Sequence, residues 1–153
     1  VIGVIDRHEG IVNQFQGDAL LVTFNVPVEN QDHALAAVRT ALDIQDALAA
    51  HDFKAVGKMN TRIGVNTGHV FAGSVGAGDR LNYPVHGDAV NIAARLEQLN
   101  KQFGTWVMIS EETKSLIDSG AGGTGAFEFT AMGAMPIRGK TEEVTVYAVT
   151  YSP

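Results

Sequence analysis

The sequence predicts an α+β domain, with helices packed on a mostly antiparallel sheet. Short apolar or β-branched runs flank Gly/Asp-type corners, longer stretches carry an apolar stripe at helical spacing, and the two kinds of element are interleaved along one domain's length of chain. Val1–His8 reads as the tail of a helix stopped by Gly10. Ile11–Phe15 and Leu20–Phe24 lie on either side of Gly17-Asp18, a hairpin signal. Gln31–His51 places Ala34, Leu35, Val38, Leu42, Ile44 and Leu48 on one stripe with Asp, Arg and Gln between them, which predicts an amphipathic helix. Arg62–Val65 and Val70–Ala72 flank Asn66-Thr67-Gly68 and read as a second hairpin. Leu81–His86 is a further short strand, and Gly87-Asp88 opens a helix from Ala89 to about Gln102. Trp106–Ile109 is a strand, Ser110 caps a short helix over Glu111–Ile117, and Phe127–Thr130 and Val144–Tyr151 complete the set as strands. Gly120–Gly125 reads as a loop, and no internal repeat is present.

The bulk numbers narrow the function class. With 153 residues, 45% of them apolar and 18% charged, the chain is long enough to bury one core and is not of disordered composition. A net charge of −6 excludes a general electrostatic footprint for nucleic acid, so an anionic ligand must be met by metal ions or by locally placed Arg, Lys and N–H groups. Cysteine is absent, which excludes disulfides and zinc–thiolate sites and fits a reducing, cytoplasmic setting. No apolar run has the length of a membrane span. The opening Val1-Ile2-Gly3-Val4-Ile5 has no initiating Met, so the expectation is a piece of something longer.

Some patterns mislead. Gly120–Gly125 matches the dinucleotide pattern G-x-G-x-x-G, but that chemistry needs a strand before it and a helix N-terminus after it. Here a helix is predicted before it and a β-like run after it. Histidines 8, 33, 51, 69 and 86 form no i, i+4 pair and read as surface or packing residues. Ser74 lacks the first glycine of a hydrolase nucleophile elbow.

Three further groups can be bland or functional when taken singly. Asp18 at a Gly-Asp corner is turn chemistry or a metal ligand. Asn91 and Arg95, four apart, project from one face of their helix, either as solvated surface or as a site. Arg138-Gly139-Lys140 is a basic turn leading into a strand.

Taken in order, the stretches Phe15-Gln-Gly-Asp18, Arg62-Ile-Gly-Val-Asn-Thr-Gly68, Tyr83-Pro-Val-His-Gly-Asp-Ala-Val-Asn-Ile-Ala-Ala-Arg-Leu-Glu97 and Arg138-Gly-Lys140, followed by Glu142, Val144, Val146 and Tyr147, resemble a class III adenylyl/guanylyl cyclase catalytic domain of bacterial type. The resemblance runs from about Ile5 to Tyr151, making residues 1–153 one catalytic domain without the family's first strand and helix. It implies a ferredoxin-like α/β sandwich and a homodimer whose active sites are shared between two chains. It implies conversion of ATP to 3′,5′-cyclic AMP and pyrophosphate with two divalent cations, Mg2+ or Mn2+, in a signalling context. By the same resemblance Asp18 is one of two metal-binding aspartates, Asn91 positions the ribose, Arg95 stabilises the transition-state phosphate, and Lys140 contacts the triphosphate.

The first metal aspartate belongs to the family's opening strand, which has no counterpart here. The expectation is that these residues do not turn over alone, and that the neighbours of an absent strand have unpaired edges. Two positions depart from the family pattern. Gln14 stands four residues before Asp18, where many adenylyl cyclases have Lys, and Pro84 stands seven before Asn91, where they have Asp or Thr. Neither matches the guanine-selecting pattern. The Gln14 amide donates and accepts, whereas Pro84 offers only a backbone carbonyl. ATP is the expected substrate, with loose base selectivity. GTP is one alternative, and a cyclase-homology module that dimerises and binds nucleotide without turnover is another.

Overall fold

The computed structural model describes residues 1–16, 18–51, 54, 57, 59–72, 85–120, 124–136 and 142–153, with the backbone path alone at 14–16 and 124. Helices α1 (Ile2–Arg7), α2 (His33–Ala50), α3 (Asp88–Phe103) and α4 (Glu111–Ser119) surround strands β1 (Ile11–Gln16), β2 (Ala19–Thr23), β3 (Ile63–Val65), β4 (Phe71–Ala72), β5 (Val85–His86), β6 (Val107–Ser110), β7 (Phe127–Pro136) and β8 (Glu143–Tyr151). The principal sheet has the order β3-β6-β8-β7; only its β3–β6 pairing is parallel.

Strand β6 reads Val-Met-Ile-Ser and is buried throughout, because helices cover both faces of the sheet at this strand. The period of two then sorts its side chains. Val107 and Ile109 join Val38, Ala41 and Leu42 of α2, Ile117 of α4 and Val149 of β8 in one cluster. Met108 faces the other way and joins Ile92, Leu96 and Leu99 of α3 with Val144 and Val146 of β8. A third cluster seats the β1–β2 hairpin: Val12 and Val22 pack with Ile63 against Val4, Ile5 and Ile44 of α1 and α2.

The second predicted hairpin does not form. Ile63–Val65 pairs in parallel with Val107–Ile109, while Phe71–Ala72 pairs antiparallel with Val85–His86. Tertiary burial overrides the turn signal. Ile63 and Val65 have apolar partners under α2, and the intervening Asn66-Thr67-Gly68 passes along the start of α3 instead of closing a turn. Among the described residues β3 has one strand neighbour, β6, and the β1–β2 hairpin forms a separate two-stranded sheet.

The other elements stand near their predicted positions, with cause. Ser110 caps α4 by accepting from the Thr113 backbone N–H. Helix α3 ends where Gly104 adopts the left-handed conformation, φ +68°. Its start differs from expectation: Gly87, at φ +141°, is the residue before the helix, and Asp88 is its first residue, where a carboxylate suits the helix dipole. Strand β7 runs on to Pro136 through a bulge between Ala131 and Gly133, longer than its apolar run alone indicated.

Two contacts tie α3 to β3. Asn100, fully buried, donates from Nδ2 to the Ile63 carbonyl at 3.0 Å and accepts at Oδ1 from Thr105 Oγ1 at 2.8 Å. At Gly64 the helix backbone comes so close that an added Cβ would lie 2.2 Å from the Ala93 carbonyl oxygen and 2.4 Å from the Glu97 nitrogen. A glycine inside a strand often marks such an approach. Gly64→Ala must therefore push the helix away; the expected loss is about 3 kcal/mol of folding stability, read from the urea midpoint. An unchanged midpoint would mean the helix moves freely over β3.

A polar tie closes the far side. Asp43 on α2 accepts from the Tyr151 hydroxyl at 2.5 Å and pairs with His8 at 2.6 Å, linking α2 to the end of β8 and the end of α1. Burial acts to raise the Asp43 carboxyl, but hydrogen bonds from Tyr151 and His8, with the charges of His8 and Arg7, outweigh it and hold the group below its ordinary value. A lowered folded-state value means that the stabilisation is present above the unfolded value of 3.8 and is lost as the pH falls through the folded one. Tyr151→Phe should cost about 1 kcal/mol at neutral pH, given a half-exposed pair. The difference from the parent should narrow on acidification below 3.8, followed by denaturant midpoints across pH.

Candidate active site

The β1–β2 hairpin sets the position of Asp18. Gln16 opposes Ala19, so Asp18 lies in the turn between them, exposed to solvent. The base of the hairpin is held by side chains. Asn13, 7% exposed, donates to Thr23 Oγ1 at 2.5 Å and to the Ile11 carbonyl at 3.1 Å, and Thr23 in turn donates to the Val26 carbonyl at 2.9 Å. This bracing stands at the irregularity between Val12 and Gln14 and stiffens the strand pair that carries the Asp18 corner. Among the described residues the Asn13 Oδ1 acceptor is buried without a partner.

Helix α3 sets the other half. Its core face is Ile92, Leu96 and Leu99, so Asn91 and Arg95 emerge beside that face, one turn apart and both exposed. Arg95 borders a small cleft with Ile92, Leu96, Leu99, Met135 and Val146, which lays an apolar bed beside a cationic side chain. No carboxylate pairs with Arg95 among the described residues. A guanidinium with its donors uncommitted is a ready partner for a phosphate group. The roomier cleft lies elsewhere, between the start of α2 and the end of α4 around His33, Leu35 and Leu116, and contains none of these residues.

The structure thus brings Asn91 and Arg95 together on one helix face and places Asp18 on a separate exposed corner. Gln14 lies in β1 opposite Leu21, with its side chain outside the described residues. Pro84 and Lys140 lie outside them as well, as do Arg138 and Gly139. Asp18 offers the hard oxygen donor that a divalent cation takes. Among the described residues no group of three or more His, Asp or Glu side chains forms a metal cage. The described residues flanking the glycine-rich stretch have the predicted context: α4 precedes it, and a 3₁₀ turn over Thr124–Ala126 leads directly into β7 and not into an α-helix. No helix among the described residues is long and apolar enough to cross a membrane.

Sequence reasoning assigned no role to Gly64 or Asn100, which fix α3 and so the height of Asn91 and Arg95. A glycine between two β-branched residues was the available signal for the first; nothing in sequence marks Asn100, whose partner lies 37 residues away.

Residues 4–150 match the family model described as the adenylate and guanylate cyclase catalytic domain. The chain is 34% identical over 154 residues to adenylate cyclase 1 of Rhizobium meliloti, covering 95% of this chain and 22% of that protein, so it spans about a fifth of that relative's length. The fold superposes on the adenylyl cyclase CyaB from P. aeruginosa with a TM-score of 0.79 at 26% identity, over 99% of this chain and 77% of that one. It superposes equally on the guanylate cyclase domain of RhGC from Catenaria anguillulae in complex with GTP, with a TM-score of 0.78 at 29% identity, over 99% and 78% of the two chains. These matches agree with the motif order and with the α+β sandwich, and the chain belongs to the class III adenylate and guanylate cyclase catalytic-domain family.

Proposed function

We propose that this domain is an adenylate cyclase that works as a homodimer with shared active sites. The ribose 3′-oxygen of ATP attacks the α-phosphorus, the bond to the pyrophosphate leaving group breaks, and the 3′-hydroxyl proton is released. The observation that carries the reading is that Asn91 and Arg95 share one exposed helix face, Arg95 having no carboxylate partner among the described residues. Asn91 orients the ribose, and Arg95 stabilises charge that grows on the phosphate as the new bond forms. Lys140 contacts the triphosphate, and Gln14 and Pro84 stand at the base. That the Rhizobium meliloti relative is named an adenylate cyclase supports ATP over GTP.

The cations would be Mg2+ or Mn2+, two per site, and would neutralise triphosphate charge when bound. Asp18 would hold them from its hairpin corner, with the carboxylate expected on the family's opening strand. Dimerisation is supported by the exposure of Asn91 and Arg95 on α3 among the described residues, a surface that a second copy would cover. The Asp18 of one chain then serves the helix of the other. A second reading, a nucleotide-binding regulatory module without turnover, draws on the lack of a complete carboxylate cluster among the described residues. Guanylate cyclase activity draws on the superposition with the GTP-bound domain. Assaying the full-length protein with Mn2+ and either ATP or GTP separates the three, because only the regulatory module binds nucleotide without forming a cyclic product.

Arg95→Ala should lower kcat by about 10²–10³ with a smaller change in KM, as for loss of one donor aimed at transition-state charge. A near-normal kcat would remove Arg95 from the mechanism. Mixing inactive Asp18→Ala chains with inactive Arg95→Ala chains should restore part of the activity, since one of the two sites in each heterodimer regains both residues. Heterodimers that form yet stay inactive would exclude shared sites.

A further inference from the structure

We infer that Asn66 is a positioning residue for Asn91, acting through the first turn of α3; the inference rests on the ribose role proposed for Asn91. The first turn of a helix has backbone N–H groups with no partner inside the helix, and an Ncap side chain commonly holds it. Helix α3 has none, because Gly87 precedes it and makes no side-chain cap. Asn91 is the fourth residue of this helix, so its side chain stands on the turn that lacks a cap.

The segment after β3 holds this turn by a different contact, made to one of its carbonyls and not to its free N–H groups. Asn66 Nδ2 donates to the Ala89 carbonyl at 3.0 Å, a contact across 23 residues that ends two positions before Asn91. The amide nitrogen must face this carbonyl, since an oxygen there would repel it. The donor is itself held on both sides. Before it, Val65 is paired into the sheet with Ile109. After it, Thr67 Oγ1 meets Thr113 Oγ1 of α4 at 2.9 Å. Gly68 lets the same segment lie against the helix, where an added Cβ would come within 2.8 Å of the Ala89 Cβ. Gly87 is approached in turn by the His69 carbonyl, 3.2 Å from where a Cβ would stand. Arg95 needs no such brace, for it lies beside Leu96, which packs over Gly64 deeper along the helix. The hydrogen bond therefore sets the first turn, and with it Asn91, more than the rest of α3.

The test is a double-mutant cycle in the full-length protein, with ATP and Mn2+. Asn66→Ala should lower kcat about tenfold with KM within about twofold, because a misplaced orienting group costs rate more than binding. In an Asn91→Ala background the same substitution should cost less than about twofold, since the group it positions is gone. A merely structural role would lower the melting temperature and reduce kcat by the same factor in both backgrounds, and that result would overturn the inference, as would no loss of kcat in the parent. Asn91→Ala turning over as fast as the parent would instead sink the ribose role, read from its own arm. Should Asn66→Ala fail to fold, Asn66→Ser, which keeps a hydroxyl, carries the same cycle with a smaller expected loss and the same criterion.

Discussion

Helix α3 lies on β3 at a distance that only glycine permits, and the position of the candidate site follows from that contact. At Gly64 two backbones meet with no side chain between them, and Asn100 fastens the end of the helix to the Ile63 carbonyl. Because β3 is paired to β6, the helix is referenced to the best-buried strand of the sheet. Close packing of this kind has little give, so the height of Asn91 and Arg95 above the sheet is fixed. A catalytic group whose task is orientation needs that kind of support.

The electrostatics are local. A chain with net charge −6 repels a triphosphate at long range, so any affinity for one must come from a few groups at close quarters. Arg95 is suited to this because no carboxylate competes for it among the described residues, while other charged groups are engaged: Lys114 with Asp118, and His8 with Asp43. Asp18 contributes the opposite sign from a braced hairpin, a hard oxygen donor that would suit a divalent cation. One chain leaves both features on open surface, and two chains facing each other would close them into a cleft.

How far the sequence could be read depended on the range of the interactions. Ser110 and Gly104 act within one turn of their own helices, and both ends are visible as local patterns. The short apolar and β-branched runs of β6 and β8 showed strands, the apolar stripe of α2 showed an amphipathic helix, and Gly87-Asp88 marked the start of α3. The Asn66-Thr67-Gly68 segment has equally good local turn chemistry, yet no hairpin forms there, because Ile63 and Val65 bury against α2 and pair with a strand more than forty residues later.

By itself the sequence determined the identity and order of the elements, the family, and the set of polar residues from which a site can be built, because propensity, periodicity and motif order are properties of neighbouring residues. Only the tertiary structure decided which strands pair, that Asn91 and Arg95 stand exposed while the adjoining Ile92 and Leu96 are buried, and that Gly64, Asn66 and Asn100 hold their helix in place. Those outcomes depend on packing between segments far apart in the chain, where the free energy of burial and of satisfying buried polar groups exceeds any local preference.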